Sequence, residues 1–226
     1  MVSARLVLFG PPGAGKGTQA LYLKERLSLP HISSGDLFRY HLRENTALGA
    51  RVAEYVNQGL LVPDEVTVDI MLDKVLGFPE AEGFILDGFP RTKEQAAALD
   101  QGLDQALEQG SRKLDKVLFI DVPEQELIRR LRGRYICRDC QAPHAGEGAG
   151  APGDARCSRC GGELYQRPDD SEEGVRTRLE VYRTETLPVL EFYRKQCLLA
   201  DISGLGSVEA VSQRVLEALG PKLIDK

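Results

Sequence analysis

A glycine-rich segment near the start of the chain has the residue types and spacing of a phosphate-binding loop. Residues 10–18 read GPPGAGKGT and directly follow an apolar run at 6–9. Glycines let backbone N–H groups turn inward around phosphate oxygens, and a helix that begins there points its positive end at the same anion. The ammonium of Lys16 then reaches the outer phosphates. A plain glycine turn with a surface lysine is the alternative, but the full pattern predicts a nucleoside triphosphate site.

A second group of anion-handling residues follows a buried strand predicted at 83–87. The strand ends in Asp87, and the turn after it carries Arg91. Ligands of open α/β sheets sit at the carboxyl ends of the strands. Gly17 stands directly after Lys16, where the common loop has Ser or Thr for Mg²⁺. We therefore expect Asp87 to hold a Mg²⁺-bound water and Arg91 to clamp a phosphate. The alternative is an acid that caps a turn beside a surface arginine.

Four cysteines form two CxxC pairs, separated by residues 141–156. Each pair presents two thiolates on a tight turn, and the two pairs complete a tetrahedral structural zinc site at Cys137, Cys140, Cys157 and Cys160. Two disulfides, a redox CxxC, an iron–sulfur cluster or free thiols are the alternatives, and His144 is a competing ligand. Cys197 is predicted to be a buried core thiol.

Arginines are dense at the borders of this cysteine segment. Arg130 and Arg134 are four residues apart, so they share one face if the helix continues, and an anion between them would offset their repulsion. A solvated basic helix is the usual explanation for an arginine run, and we expect it for three others, namely Arg129, Arg132 and Arg138. Because Arg176 and Arg178 are two apart, at most one of them faces the site.

Length, composition and charge limit the class of protein. The chain has 226 residues, of which 42% are apolar and 28% charged, enough for one sizeable α/β core with inserted segments. No apolar run approaches the ~20 residues that span a bilayer, and the N-terminus does not read as a signal peptide, so a cytoplasmic protein is expected. The net charge of −5 argues against broad nucleic-acid binding.

Short apolar strands alternate with helical segments, which is typical of a parallel sheet covered on both faces. The predicted strands are 5–9, 30–32, 83–87, 116–122 and 198–202. The predicted helices are 18–27, 36–43, 48–58, 64–75, 92–108, 123–131, 172–195 and 208–219, with a kink or break at Pro188. Segments 33–62 and 133–170 do not fit the alternation and are interpreted as inserts. Asp169 and Asp170 either tether the second insert or cap the helix after it.

The combination of motifs resembles the adenylate kinase family, in the long bacterial form whose lid carries zinc. The resemblance covers essentially the whole chain. It rests on GPPGAGKGT, SSGD at 33–36 with Arg39, DGFPR at 87–91 with Gln95, the Arg130 and Arg134 pair, the CxxC pairs, and RPDD at 167–170 with Arg178. It implies a doubly wound parallel five-stranded sheet, the fold of P-loop nucleotide kinases, and the Mg²⁺-dependent reaction ATP + AMP ⇌ 2 ADP.

The resemblance also implies a division into domains and a role for each motif. A core of residues 1–32, 63–132 and 171–226 carries an AMP-binding insert at 33–62 and a zinc-binding lid at 133–170. The implied ATP contacts are Gly13, Ala14, Gly15, Lys16, Gly17, Thr18, Arg134, Pro143, His144 and Gly206. The implied AMP contacts are Ser34, Arg39, Leu60, Leu61, Val62, Gly88, Phe89, Pro90, Arg91, Gln95, Arg167 and Arg178. The implied catalytic residues are Lys16, Asp87, Arg91, Arg130, Arg167 and Arg178.

Three other functions stay open at the level of sequence. Another nucleoside monophosphate kinase, for UMP or CMP or with GTP as donor, shares the loop and arginines, although the Ser34 hydroxyl and the Gln95 amide favour adenine. A zinc-ribbon nucleic-acid binder with ATPase activity would need a basic face with stacking aromatics, and the insert offers only Tyr135 and Tyr165. A non-catalytic nucleotide sensor would be expected to lose phosphate-clamping arginines, yet none is missing. A monomer without nucleic-acid or membrane partners is expected.

Overall fold

The computed structural model describes residues 3–79, 83–105, 113–140, 142–145 and 156–224. Within them the strands are β1 (Arg5–Phe9), β2 (His31–Ser33), β3 (Phe84–Asp87), β4 (Lys116–Asp121), β5 (Arg134–Cys137), β6 (Pro143–Ala145), β7 (Leu164–Tyr165) and β8 (Leu199–Ser203). The helices are α1 (Lys16–Leu27), α2 (Ser34–Arg43), α3 (Ala47–Gln58), α4 (Asp64–Leu76), α5 (Lys93–Gln105), α6 (Glu124–Arg132), α7 (Glu172–Val181), α8 (Val189–Lys195), α9 (Val208–Leu219) and α10 (Pro221–Ile224). The boundaries agree with the predicted ones within two residues, apart from the helix predicted at 172–195. Residues 106–108, which the sequence places in a helix, lie outside the described residues.

A five-stranded parallel sheet forms the centre, with strands in the order β2-β3-β1-β4-β8. This confirms the predicted α/β class. β1 lies in the middle, where Val7 pairs with Leu86 of β3 and Val117 of β4. β2 begins one residue later than predicted. Pro30 lacks an N–H, so it contributes only its carbonyl, which accepts from the Ile85 N–H.

Two apolar cores hold the helices against the sheet, one on each face. Leu23 of α1 and Leu131 of α6 belong to the first core. Met71 of α4, Leu99 of α5 and Tyr193 of α8 belong to the second. Parallel strands joined by helices on both faces give the doubly wound arrangement, and the carboxyl ends of the strands meet at one edge. The residues after β1 and after β3 therefore come to lie side by side.

The helix predicted at 172–195 is divided into three pieces. α7 is followed by a π-helical turn at Tyr182–Thr186, and α8 begins directly after Pro188. The predicted break at Pro188 is therefore confirmed. The π-helical turn is not predicted by the sequence. In it the Leu187 N–H donates to the Tyr182 carbonyl over 2.7 Å, a bond that spans one residue more than in an α-helix.

Two segments project from the sheet. α2 and α3 pack on each other around a small apolar cluster of Phe38, Val52 and Val62. Between α6 and α7, β5, β6 and β7 form a separate antiparallel sheet in the order β6-β5-β7. The sequence does not predict this sheet, because its strands are only two to four residues long and lie in a glycine-rich segment. Among the described helices, none has the length and apolar composition of a membrane span.

Candidate active site

The loop after β1 has the conformation of an anion cradle. Gly13 and Gly15 have φ angles of 83° and 96°, which residues with a Cβ rarely adopt. Gly10 lies so close to β4 that a Cβ there would stand 2.6 Å from the Ile120 carbonyl oxygen. α1 begins at Lys16, so its unpaired N–H groups and its positive end face the loop. The strand, loop and helix expected from the sequence are all present.

The Lys16 side chain folds back over this loop. Its Nζ donates to the carbonyl oxygens of Gly10 and Pro11 over 2.7 and 2.9 Å. Burial lowers the pKa of Lys16 to about 8, Asp87 acts in the opposite direction, and nearby arginines lower it further. A buried ammonium without an adjacent anion is costly, so this lysine favours a bound phosphate.

Asp87 lies beside the start of α1. A Cβ on Gly17 would stand 3.6 Å from Asp87 Oδ2, so the glycine leaves room next to the carboxylate. His31 Nε2 lies 3.8 Å from the same oxygen, and 14% of the Asp87 side chain is exposed. Carboxylate oxygens suit Mg²⁺, which proteins usually bind through one or two acids, water and substrate phosphates. The donor and the space fit a Mg²⁺ ion that Asp87 shares with a triphosphate.

Five arginines lie close enough to one another for their charges to interact, namely Arg39, Arg91, Arg134, Arg167 and Arg178, and three of them, Arg91, Arg134 and Arg178, also lower the pKa of Lys16. Burial and then Arg178 lower the pKa of Arg91 to about 10. Burial and then Arg39 lower the pKa of Arg167 to about 10. The Nε atoms of Arg39 and Arg167 are buried without a hydrogen-bond partner among the described residues. Positive charge concentrated and buried in this way predicts an anion site.

A buried carboxylate connects two of these arginines. The Asp170 side chain is fully buried, accepts from Arg178 Nη1 over 2.7 Å, and accepts two hydrogen bonds from Arg134. Asp169 Oδ2 lies 2.9 Å from the same Arg178 nitrogen. Arg134 belongs to the antiparallel sheet and Arg178 to α7, so Asp170 ties that sheet to the core. Of the two roles expected for these acids, the structure shows the tether, because Ser171 caps α7.

The turn after β3 and the start of α2 form a second polar surface. The Gly88 carbonyl accepts from Ser34 Oγ and from Arg91 Nε, both over 2.7 Å. The buried Gln95 amide accepts from the Arg91 backbone N–H over 2.8 Å. The Phe89 side chain is buried in the core, so only the backbone of this residue is available to a ligand. Hydrogen bonds therefore link four of the predicted contacts in sequence, namely Ser34 to Gly88, Gly88 to Arg91 and Arg91 to Gln95.

One cleft joins the loop, this turn and the π-helical turn. Of the residues predicted from the sequence, it is lined by Lys16, Leu61, Gly88, Pro90, Arg91 and Arg178. Leu60 is 38% exposed, and Val62 is buried in the cluster between α2 and α3. Tyr182 and Thr186 also line the cleft and are not among the residues predicted from the sequence. No motif marks these two residues, because they belong to the π-helical turn.

Of the predicted site residues, Gly206 lies in the turn after β8, and Arg130 of α6 contacts that turn. Arg130 Nη2 donates to the Gly204 carbonyl over 2.9 Å, and its Nε donates to Glu126 over 2.8 Å. Gly206 belongs to the same turn and has a φ of 105°. Arg130 is thus held by α6 and by the β8 turn, and the structure gives it no bond to the cleft residues.

The expectations for the remaining arginines have mixed outcomes. Arg130 and Arg134 would share a face only if the helix continued, and it does not, because α6 ends at Arg132 and Arg134 begins β5. As expected, three side chains are largely exposed, namely those of Arg129, Arg132 and Arg138. The solvated helix expected for all three is wrong for Arg138, which follows β5 and lies outside α6. The Arg176 side chain is 79% exposed and that of Arg178 is 17% exposed, which confirms that only one of this pair faces the site.

The four CxxC cysteines come together in the antiparallel sheet. Their sulfur atoms all lie within 4.8 Å of one another. Cys137 Sγ lies 3.4 Å from Cys160 Sγ, and Cys140 Sγ lies 3.6 Å from Cys157 Sγ. Zinc–sulfur bonds of about 2.3 Å place tetrahedral ligands about 3.8 Å apart. The donor set and its spacing therefore fit a structural zinc ion, which these four thiolates would hold with no open position for catalysis.

Two other expectations near the cysteines are resolved by the structure. His144 does not belong to the group of four, although its Nε2 lies 3.2 Å from Cys157 Sγ. This places the imidazole next to a ligand and outside the ligand set. The prediction of a buried thiol at Cys197 is wrong. Cys197 is exposed and has a φ of 58°, because it lies in the turn after α8 and does not belong to that helix.

The fold and the cleft together define a class of protein. A phosphate loop on a doubly wound sheet, an acid at the neighbouring strand end and a buried arginine cluster are the parts of a nucleoside monophosphate kinase, a phosphotransferase. The sequence model of the family described as adenylate kinase matches residues 8–198. The chain therefore belongs to the adenylate kinase family.

Similar proteins cover nearly the full length of the chain. An adenylate kinase of Streptomyces griseus is 51% identical over an alignment of 224 positions, which covers 95% of this chain and 97% of the relative. One from Caldicellulosiruptor bescii is 46% identical over 96% of this chain and 99% of its own length. One from Methanocella arvoryzae is 48% identical over 95% of this chain and 98% of its own length. These relatives give no support to the alternative of another nucleoside monophosphate kinase.

Proposed function

We propose that this chain transfers a phosphoryl group from ATP to AMP with Mg²⁺, forming two ADP, and that both nucleotides meet in the cleft. Family membership supports the reaction. The observation that carries the assignment of residues is the single cleft in which Lys16, Arg91 and Arg178 meet beside the phosphate loop. Such a cluster binds the phosphates of two substrates at once. A monomer in the cytoplasm, without nucleic-acid or membrane partners, stays a prediction.

In this proposal the two nucleotides contact different parts of the cleft. The ATP phosphates bind the loop at 13–18 together with Arg134, with Pro143 and His144 of the lid nearby and the adenine near Gly206. AMP contacts a separate set of residues, namely Ser34, Arg39, Leu60, Leu61, Val62, Gly88, Phe89, Pro90, Arg91 and Gln95. Arg167 and Arg178 contact the phosphates of both nucleotides. The bond of Arg130 to Gly204 supports a position for Arg130 at the Gly206 end of the ATP site.

The chemistry asks for alignment and charge neutralisation. Phosphoryl transfer passes through a loose transition state with charge spread over the equatorial oxygens. Lys16 and four arginines, namely Arg91, Arg130, Arg167 and Arg178, neutralise that charge, and a phosphate oxygen of AMP attacks without a general base. Asp87 would hold a Mg²⁺ ion through water, and that ion, when bound, would supply further neutralisation of the charge on the ATP phosphates.

We further propose that residues 33–62 and 133–170 are the AMP-binding insert and the lid on a core of 1–32, 63–132 and 171–226. Their closure excludes water, which would otherwise hydrolyse ATP. Arg39 of the insert and Arg134 of the lid support this division. Both lie close enough to Arg178 of the core to lower its pKa, although burial is the largest cause. Charges from all three parts therefore meet around one bound anion.

The direct test of the proposed function is a coupled assay of ADP formation with Mg²⁺ and ATP, with AMP present or omitted. We expect two ADP for each ATP consumed when AMP is present, and almost no ADP without it, because closure requires the second nucleotide. Equal ATP consumption in the two arms would contradict the proposal. UMP and CMP as acceptors are the matched controls, and we expect them to react much more slowly.

Removal of metal is expected to destabilise the protein without a direct effect on chemistry. The four cysteines lie in the antiparallel sheet. The apolar cluster of this sheet is small, so burial alone stabilises it little and metal binding has to supply the rest. We expect one zinc per chain by elemental analysis, and a chelator should lower the Tm while kcat at low temperature changes little. Cys157→Ser should act like the chelator, and Cys197→Ser, outside the cluster, should not. Absence of metal together with an unchanged Tm would count against structural zinc.

The efficiency of ATP use is expected to fall as the pH rises through about 8. Lys16 is charged below its pKa, which burial lowers to about 8, and only the ammonium attracts a phosphate. Since kcat/KM reports the free enzyme, its value for ATP should fall up to about tenfold per pH unit above that pKa. The fall in kcat should begin at a higher pH than the fall in kcat/KM, because bound phosphates stabilise the ammonium and raise the pKa of Lys16 in the complex. In Lys16→Arg, whose guanidinium stays charged, the fall near pH 8 should be absent.

A further inference from the structure

A buried hydrogen-bonded group lies beside the turn after β3. Asp64, the first residue of α4, accepts from Gln95 Nε2 over 2.7 Å through Oδ1 and from the Thr92 hydroxyl over 2.8 Å through Oδ2. Gln95 Oε1 accepts from the Arg91 backbone N–H over 2.8 Å. Thr92 and Gln95 are 7% and 1% exposed, so little water competes for these bonds. Neither the phosphate loop nor the arginine cluster accounts for the acid at position 64.

These bonds permit one orientation of the Gln95 amide. A carboxylate only accepts and a backbone N–H only donates, so Nε2 has to face Asp64 and Oε1 has to face Arg91. In the reverse orientation, oxygen would meet oxygen at Asp64 and N–H would meet N–H at Arg91. Both contacts are partly buried, so the reversal would leave four polar groups without their protein partners. The amide is therefore fixed by the chemistry of its neighbours.

We infer that Asp64 is a positioning residue that sets the base specificity of the acceptor site through Gln95. This inference rests on the proposed contact between Gln95 and the AMP base. In the fixed orientation, Gln95 keeps one free lone pair on Oε1 and one free hydrogen on Nε2. A 6-aminopurine presents a donor at N6 beside an acceptor ring nitrogen, which matches that order.

A 6-oxopurine presents the opposite order. Its O6 would meet Oε1 and its N1–H would meet Nε2, so like groups would face each other at both positions. Rotation of the Gln95 carboxamide by half a turn would remove this mismatch, but Asp64 and the Arg91 backbone N–H oppose that rotation. Sites built on buried hydrogen bonds reject mismatched ligands strongly for this reason. Asp64 thus increases the selectivity for AMP over IMP without contacting either nucleotide.

Asp64→Asn tests the inference, because it keeps the size of the side chain and introduces a donor. Its carboxamide must turn an NH₂ toward either Thr92 or Gln95. In the first case the Thr92 hydroxyl loses its acceptor, and in the second the amide of Gln95 is pushed to turn over. Asp64→Asn therefore weakens the preference for one orientation of Gln95, which then depends mainly on the Arg91 backbone N–H.

The measurement is kcat/KM with AMP and with IMP as acceptors, in the full chain with Mg²⁺ and ATP. We expect the ratio of the two values to fall at least about tenfold in Asp64→Asn, with the KM for ATP nearly unchanged. Glu65→Gln removes the same charge from the next, exposed position of α4 and should leave the ratio unchanged. Asp64→Ser, whose hydroxyl both donates and accepts, should lower the ratio as well and serves if Asp64→Asn does not fold.

Two results would overturn the inference, and they can be told apart. If both acceptors lose activity equally in Asp64→Asn and Asp64→Ser, Asp64 has only a structural role. Gln95→Leu tests the proposed contact between Gln95 and the AMP base, and this substitution should raise the KM for AMP. If that KM is unchanged, the proposed base contact of Gln95 fails and the inference fails with it. If that KM rises while the Asp64 variants keep the wild-type ratio, only the inference is wrong.

Discussion

Replacing Lys16 by methionine is expected to lower kcat for ADP formation about a thousandfold or more. Methionine keeps most of the length of the side chain but removes the only ammonium in the loop at 10–18. A preorganised charge in a water-excluded site acts mainly on the transition state, where charge spreads over the transferred group. The fall should therefore appear in kcat and persist at saturating ATP. The coupled ADP assay measures it directly.

The same substitution should not unfold the protein. Lys16 is partly buried, and this burial lowers the pKa of its ammonium. A methionine of similar size needs no such solvation, so we expect a Tm equal to or above that of the wild type. Lys24→Met, at an exposed position of the same helix, is the control and should leave both kcat and Tm unchanged. Near-normal turnover in Lys16→Met would refute the assignment of the phosphate loop.

The parts of the site that could be predicted from sequence are those that depend on local structure. The loop at 10–18 needs only a strand, turning glycines and a helix start, and all three are encoded within about twenty residues. Asp87 was predictable because a buried apolar strand ends at that residue, and strand ends carry ligands in open sheets. The CxxC pairs were predictable for a similar reason, since each pair forms its own tight turn.

The parts that sequence reasoning missed depend on contacts between distant segments. Whether Arg130 and Arg134 share a face depends on where α6 ends, and the end at Arg132 follows from the start of β5. The π-helical turn at Tyr182–Thr186 needs one extra residue per turn, which no residue pattern announces. For Asp170 the sequence left two roles open, a tether for the insert or a cap for the following helix. Only the fold shows that it meets Arg134, from which 36 positions of sequence separate it.

Replacing Asp170 by asparagine is expected to destabilise the protein and to slow the reaction. The carboxylate is fully buried and binds Arg134 and Arg178, whose side chains are 19% and 17% exposed. Removing one member of a buried ion network costs about 3 kcal/mol, because the remaining charges are left without a partner. For a chain of this size that corresponds to a fall in Tm of roughly 6–12 °C. Differential scanning calorimetry, with metal retained, measures it.

The effect of Asp170→Asn on turnover follows from the position of the two arginines. Arg134 and Arg178 meet the proposed phosphates only while Asp170 ties the antiparallel sheet to α7, and small displacements of positioning groups cost about a hundredfold in rate. We expect a fall of that size in kcat at a temperature where the variant is folded. Glu172→Gln is the matched control, since Glu172 pairs with Arg132 and is 60% exposed. Exposed pairs contribute little, so it should change neither Tm nor kcat appreciably. An Asp170→Asn variant with the Tm and kcat of the wild type would contradict this prediction. Other contacts would then hold Arg134 and Arg178, and closure of the proposed lid would not depend on this carboxylate.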